Sequence, residues 1–275
     1  MPSVRDHYEQ EQLVERIRAA LELAGLAENF LTLEQLAPID HFHSRGIAGT
    51  EEMAGDLKVC SGDRMLDLGS GLGGPARYFA RKFDCHVQGI DLTQSFVDAA
   101  KFLTVRAGLS SKVTFDCGDA TALPYTDASF DVVVTQHVAM NIKNKDRLYS
   151  EAYRVLKPGG QFALYDIVAG ERGSVHFPVP WSDGLETSFL VDPMELRDLL
   201  EEQGFKIVGW KDHTDQAIEW FAEIAKKQAE LKDQNQVPFN IGVVMGPGFG
   251  ARAANLTRSL KEDKAGVLEV IAIKE

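Results

Sequence analysis

Three carboxylates and a run of glycines are the residues whose types and spacing in this 275-residue chain invite chemistry. In Met65-Leu66-Asp67-Leu68-Gly69-Ser70-Gly71-Leu72-Gly73-Gly74-Pro75, an apolar run passes into glycines at 69, 71 and 74 and then into a helix start. Small residues there let the backbone approach a ligand, and the free N–H groups of a helix start attract an anion. The Gly-x-Gly-x-x-Gly spacing suits a dinucleotide pyrophosphate, or the carboxylate of a methionine moiety on a shorter nucleoside. Asp67 shifts the balance, because a carboxylate there can pair with an ammonium and would repel a pyrophosphate. Asp91, closing Gly89-Ile90-Asp91-Leu92, can accept both ribose hydroxyls, a feature that also fits NAD. Asp119, in Cys117-Gly118-Asp119-Ala120, is placed to accept from an adenine amino group with Ala120 beside the ring. Each acid alone could be a helix cap, but three at successive strand ends form a set.

These residues need a scaffold that brings strand ends to one edge. From residue 64, short apolar runs alternate with helical stretches, the order of a doubly wound parallel sheet. The expected strands are 64–68, 86–90, 113–115, 132–135, 161–167, 206–210 and 267–273. Helices are expected to start near Pro75, from Asp146 to Val155, and from Pro193 to just before Gly204, with proline first and glycine last. Leu13, Ile17, Leu21 and Ala24 at helical spacing predict one amphipathic helix over 7–26, with a second short helix before Pro38. Residues 1–55 form an N-terminal helical or lid segment, and 56–275 the main domain. Insertions around 169–191 and 213–264 break the alternation and read as substrate-cap material.

A formal charge of −12 and a pI near 5.1 disfavour a phosphate backbone as partner, so a small molecule rather than nucleic acid is expected. No stretch has the length of a membrane span and residues 1–12 are polar, which predicts a cytoplasmic protein. Cys60, Cys85 and Cys117 lack the spacing of a zinc site or a disulfide framework.

Taken together, the chain resembles the class I S-adenosylmethionine-dependent methyltransferases, in the group that contains the ubiquinone/menaquinone, tocopherol and glycine/sarcosine enzymes. Leu66 to Gly73 looks like that class's first motif, and Gly118-Asp119-Ala120 like its adenine motif. Phe130-Asp131-Val132-Val133 and Arg154-Val155-Leu156-Lys157-Pro158-Gly159-Gly160 look like its fourth-strand and fifth-strand motifs. The resemblance implies a Rossmann-like α/β sheet of seven strands, mostly parallel, with an antiparallel last strand inserted beside 161–167. It implies S-adenosyl-L-methionine as cofactor, S-adenosyl-L-homocysteine as product, and a small-molecule acceptor. The cofactor contacts it implies are Asp67, Gly69, Ser70, Gly71, Asp91, Leu92, Gly118, Asp119, Ala120 and Gln136. Asp40-His41-Phe42-His43-Ser44-Arg45-Gly46 is similar to a segment that closes over the cofactor in related enzymes, with Gly46 alone kept of its two glycines.

Methyl transfer from a sulfonium needs alignment and a dry pocket above all. Where the acceptor must lose a proton, a histidine suits the task. His137, in Thr135-Gln136-His137-Val138, follows the fourth strand, which points at the methyl group in that class. It is the first candidate for base or substrate orienter, and His43 the second; capping a turn and a loop contact are their plain alternatives. Asp166 is a third catalytic candidate, able to bind a substrate cation, position His137, or cap a helix. Trp181, with Phe177 and Phe189, could wall the acceptor pocket or form the core of a cap. No metal is expected, since His41, His176 and His213 lack ligand spacing. Two other readings stand beside catalysis: a non-catalytic S-adenosylmethionine sensor, and an NAD-dependent oxidoreductase, which lacks a hydride-site constellation. The protein is expected as a monomer or homodimer.

Overall fold

A computed structural model of the chain describes residues 4–8, 10–27, 30–233, 239–246 and 248–275. Within the expected lid and cap segments, residues 1–3, 9, 28–29, 234–238 and 247 lie outside the described residues. The apolar runs form strands β1 (Arg64–Leu68), β2 (His86–Asp91), β3 (Val113–Cys117), β4 (Phe130–Gln136), β5 (Leu156–Ala169), β6 (Phe205–Asp212) and β7 (Ala265–Lys274). Helices α1 (Val4–Tyr8), α2 (Leu13–Leu23), α3 (Leu33–Asp40) and α4 (Ile47–Asp56) precede them. Between and after the strands come α5 (Gly74–Phe83), α6 (Gln94–Arg106), α7 (Lys145–Val155), α8 (Pro193–Glu202), α9 (Thr214–Asp233), α10 (Gly242–Met245) and α11 (Phe249–Lys261).

The seven strands make one sheet in the order β3-β2-β1-β4-β5-β7-β6. β1 to β5 pair in parallel, while β7 runs antiparallel between β5 and β6, with Gln161 opposite Ile273 and Ala169 opposite Ala265. The expected fold class and the place of the last strand are both found. Period-two alternation explains why both faces are buried. Met65, Val132, Val134, Ala163, Tyr165 and Ile167 enter the core on one face. Leu66, Leu68, Val133, Phe162, Leu164 and Val168 enter the core on the other. The strand order reverses between β1 and β4, which opens a crevice at their carboxyl ends, the usual ligand position in such sheets.

Local signals set several boundaries. Asp192 caps α8 by accepting from the N–H groups of Met194 and Glu195, ahead of Pro193. Thr32 and Gln35 make a reciprocal capping box at α3. Two N-terminal expectations are corrected. The helix expected over 7–26 is broken into α1 and α2, with Gln12 at φ 55° ahead of α2, a left-handed conformation that a continuous helix does not admit. The short helix expected to end before Pro38 runs through it to Asp40. Pro38 lacks one backbone donor, and the apolar Leu36 and Ile39 on either side are fully buried, so packing outweighs the lost bond.

Leu13, Ile17, Leu21, Leu36 and Ile39 of the N-terminal helices build a third core with Leu72 and with Phe96 and Leu103 of α6. On the sheet face holding Tyr165, the 169–191 insertion contributes Val175, Val179 and Trp181, packed with Ala217 of α9 and Leu256 and Leu260 of α11.

Candidate active site

Glycine geometry builds the floor of the crevice. After β1 the chain turns through Gly69, Gly71 and Gly73, all with positive φ (68°, 51° and 75°). A Cβ on Gly69 would lie 2.3 Å from Val138 Cγ2, so this glycine is also needed for the β4 loop to approach. The turn is held open by Asp91, whose carboxylate accepts from the Gly71 N–H at 2.8 Å and the Thr93 N–H at 2.9 Å.

Inside this floor sit polar atoms without partners. Among the described residues, Asp67 Oδ2, Ser70 Oγ and Gln136 Nε2 are buried and make no hydrogen bond. A buried polar atom left unpaired costs about 1–3 kcal/mol, so three expected cofactor contacts at one crevice constitute a demand for a ligand. Burial pushes the Asp67 carboxyl up to about 8; the Asp91 charge adds to this and Arg77 opposes it. A carboxyl in that state gains most from a cation. Asp67 therefore fits the ammonium of S-adenosylmethionine, while the N–H groups of Gly69, Ser70, Gly71 and Gly73 are donated within the turn and to Ile90 and Asp91, so they shape the turn. Leu92 is 37% exposed beside Asp91. Gly118 donates its N–H to the Asp91 carbonyl, and the exposed Asp119 accepts from the N–H and hydroxyl of Thr121 through Oδ1. Ala120 follows it, partly buried.

The segment over residues 40–46 lies on the glycine turn. A Cβ built at Gly71 would be 3.6 Å from the Phe42 ring, and one at Gly74 only 2.3 Å from the Asp40 carbonyl. Asp40 anchors the segment: one carboxylate oxygen is 2.7 Å from His41 Nδ1, and the other accepts from Arg77 Nη2 at 2.7 Å. Both Asp40 and Arg77 are fully enclosed. Burial works against the Asp40 charge, yet His41 and Arg77 together hold its carboxyl below the ordinary range.

Beyond the turn, the residues after β4 and the 43–46 segment form a mesh. Thr50 Oγ1 bridges His43 Nε2 (3.0 Å) and Gln136 Oε1 (3.3 Å). Ser44 Oγ lies 3.2 Å from His137 Nε2 and donates to the Tyr165 hydroxyl at 3.3 Å. The His137 ring stacks on Tyr165 with centroids 5.6 Å apart and planes within 9°. Burial drives His137 down to about 3 and His43 well below its usual value, so both imidazoles are neutral at pH 7. The register aligns Gln136, Tyr165, Glu269 and Lys211 in one row across β4, β5, β7 and β6. Along it, Arg45 donates to Glu52 (2.6 Å) and to His213 Nδ1 (3.1 Å), and His213 Nε2 is 3.3 Å from Glu269.

For two candidates the structure favours one of the stated alternatives, positioning His137 for Asp166 and a core role for Trp181. Asp166 is buried and accepts from the N–H groups of Val138 (3.1 Å), Ala139 (2.6 Å) and Ile167 (2.8 Å), so it shapes the turn that carries His137. Trp181 is 1% exposed and donates to Ser188 from within the core, so it offers no wall to an acceptor. Ser44, Thr50, Arg77 and Tyr165 were missed by sequence reasoning. Strand parity carries a signal for Tyr165: it opposes Gln136 in register, whereas Asp166 faces the other side. Tyr8 was missed too; its hydroxyl donates to Asn141 at 3.2 Å, and its ring meets Phe96.

Among the described residues there is no cluster of three metal-ligating side chains and no helix long and apolar enough to cross a membrane.

Known proteins agree with this geometry. A family model described as a methyltransferase domain matches residues 66–164. The chain is 30% identical over 196 residues to phosphoethanolamine N-methyltransferase 1 of Arabidopsis thaliana, covering 70% of this chain and 38% of that protein. It is 30% identical over 184 residues to sterol 24-C-methyltransferase of Eremothecium gossypii, covering 63% and 49% respectively. The chain thus spans half or less of the length of these relatives. Among solved structures, the [4+2]-cyclase SpnF superposes with a TM-score of 0.72 at 25% identity, over 99% of this chain and 97% of that one. Residues 66–164 match the methyltransferase domain model, and the strands that follow them complete the seven-stranded sheet.

Proposed function

We propose that the chain transfers the methyl group of S-adenosylmethionine to a small-molecule acceptor, with His137 as base or orienter of the acceptor. The observation that carries this reading is Asp67: an enclosed carboxyl with an unpartnered oxygen, pushed up to about 8 by burial, at the end of β1 beside the glycine turn. When bound, the cofactor supplies a methyl group on a positively charged sulfur, which leaves in line as a neutral thioether. Asp67 binds its amino acid end at the Gly69–Gly71 turn, Asp91 the ribose, and Gly118, Asp119, Ala120 and Leu92 the adenine. Ser70 and Gln136 fill their open valences on it. His137, neutral at pH 7, holds the acceptor or takes its proton, while His43, enclosed with Nδ1 on the Ser44 carbonyl and Nε2 on Thr50 Oγ1, braces the segment beside it.

In this reading residues 1–55 act as a lid. The contact of Phe42 with the glycine turn and the Asp40–Arg77 pair support it. The 169–191 and 213–264 insertions select the acceptor. The likeness to phosphoethanolamine and sterol methyltransferases supports small polar or lipidic acceptors alike. Three unpaired cysteines fit a reducing, cytoplasmic setting, for a monomer or homodimer.

A second reading has one specific support. The cyclase SpnF matches this chain along nearly its whole length, so the same fold could hold the cofactor while another reaction occurs beside it. Incubation with methyl-labelled S-adenosylmethionine and a size-fractionated metabolite extract separates the two. Label in a small-molecule fraction, lost in Asp91→Ala, is the expected result; tight cofactor binding with no transfer would favour the second reading.

A further inference from the structure

His137 is constrained from three directions. Its backbone is left-handed at φ 54°, in a turn that Asp166 holds through the N–H groups of Val138 and Ala139. Its ring lies flat on Tyr165. Its Nε2 meets Ser44 Oγ. A serine hydroxyl has one proton to give, and here it goes to the Tyr165 oxygen at 3.3 Å. The remaining 3.2 Å contact is then a bond in which Nε2 donates and Ser44 Oγ accepts.

We propose that Ser44 and Tyr165 are positioning residues that fix His137 as its Nε2–H tautomer, so that Nδ1 is the nitrogen available to take a proton. The inference rests on the methyl-transfer reading for its use, though not for its geometry. In the step served, the acceptor loses its proton to Nδ1 as its lone pair takes the methyl carbon and the carbon–sulfur electron pair stays with sulfur. One positive charge passes from sulfur to imidazole, and the Nε2–H bond to Ser44 persists throughout. Ser44 belongs to the segment lying on the glycine turn, so the tautomer is set only when that segment is down. Closure over the cofactor and readiness of the base are thereby the same event.

The test is nitrogen NMR of the full chain labelled at its seven histidines, with and without S-adenosylhomocysteine, using His137→Gln to identify the signal. The expected result is a single Nε2–H tautomer in the wild type, lost in Ser44→Ala, weakened in Tyr165→Phe and kept in Ser44→Thr. Tyr165→Phe retains the stacked ring, so it reports even if Ser44→Ala folds poorly. Alongside, Ser44→Ala lowers kcat about 100-fold with KM within about twofold, the cost of a misplaced base rather than of lost binding. An Nδ1–H tautomer in the wild type, or a signal indifferent to both substitutions, would overturn the proposal. A wild type with the expected tautomer but no transfer to any acceptor would instead sink the methyl-transfer reading and leave the assignment standing.

Discussion

At the scale of single residues, the crevice is organised by groups whose ionisation is shifted by burial. Asp67 is held near 8, so it is protonated in the ligand-free protein at pH 7. Because its folded pKa lies above the unfolded value, the folded state binds the extra proton, and stability falls as pH rises from about 4 to 8. The slope is ~1.4 kcal/mol per pH unit for one proton. Asp67→Asn should flatten the denaturation midpoint across that window, and an unchanged slope would remove Asp67 as its source. Pairing with the cofactor ammonium favours the charged form, so binding at pH 7 should release close to one proton. Calorimetry in buffers of different ionisation enthalpy measures it directly, and Asp67→Asn should abolish the release. His137 gives the opposite sign. Its pKa is lowered to about 3 by burial, so its contribution to stability is present above about pH 6.5 and is lost as pH falls towards 3.

At the scale of elements, the lid segment and the glycine turn share backbone contacts that leave no room for side chains. A Cβ on Gly74 would stand 2.3 Å from the Asp40 carbonyl and 2.7 Å from His41 Nδ1. Gly74→Ala should therefore cost about 1–3 kcal/mol and weaken cofactor binding, since the start of α5 and residue 40 must part. Equal melting and equal affinity in that variant would show the contact to be dispensable. The Asp40–Arg77 pair makes a stronger demand. Both side chains are enclosed, and Arg77 also donates to the Leu72 carbonyl (2.6 Å) and the Thr104 hydroxyl (2.9 Å). Removing one partner leaves the other charge buried, so Arg77→Met should cost about 3–5 kcal/mol in urea unfolding, with partial recovery in the Asp40→Asn double variant.

At the scale of the whole molecule, three cores meet around the crevice: one on each sheet face, and one beneath the N-terminal helices. A ligand satisfying the orphaned groups couples them. At about 100 times its Kd, S-adenosylhomocysteine should add about 2.7 kcal/mol, a melting shift of several degrees. Hydrogen exchange should slow in residues 4–8 and 40–46 as well as in the glycine turn, and protection confined to the turn would show that the N-terminal helices do not take part.

The strands, their order of appearance and the glycine-rich cofactor turn are legible in the sequence, because each depends on local chemistry: alternation of apolar residues, positive φ at glycine, an acid at a strand end. Asp67 is also read this way, Ser70 and Gln136 enter through the resemblance, and the structure leaves all three with open valences. Asp166 and Trp181 show where this reading stops. A carboxylate at a strand end looks the same whether it meets a ligand or the N–H groups of its own turn, and a tryptophan looks the same in a wall or a core. What decides between them is which face the register presents and what packs upon it. The row Gln136, Tyr165, Glu269 and Lys211 exists only because β7 inserts between β5 and β6, bringing residues more than a hundred positions apart side by side. Ser44 reaches His137 across 93 residues because the lid segment is anchored on α5 through Asp40 and Arg77. Spacing along a chain carries no record of such contacts, which arise only when the sheet assembles and the helices and segments around it pack upon its faces.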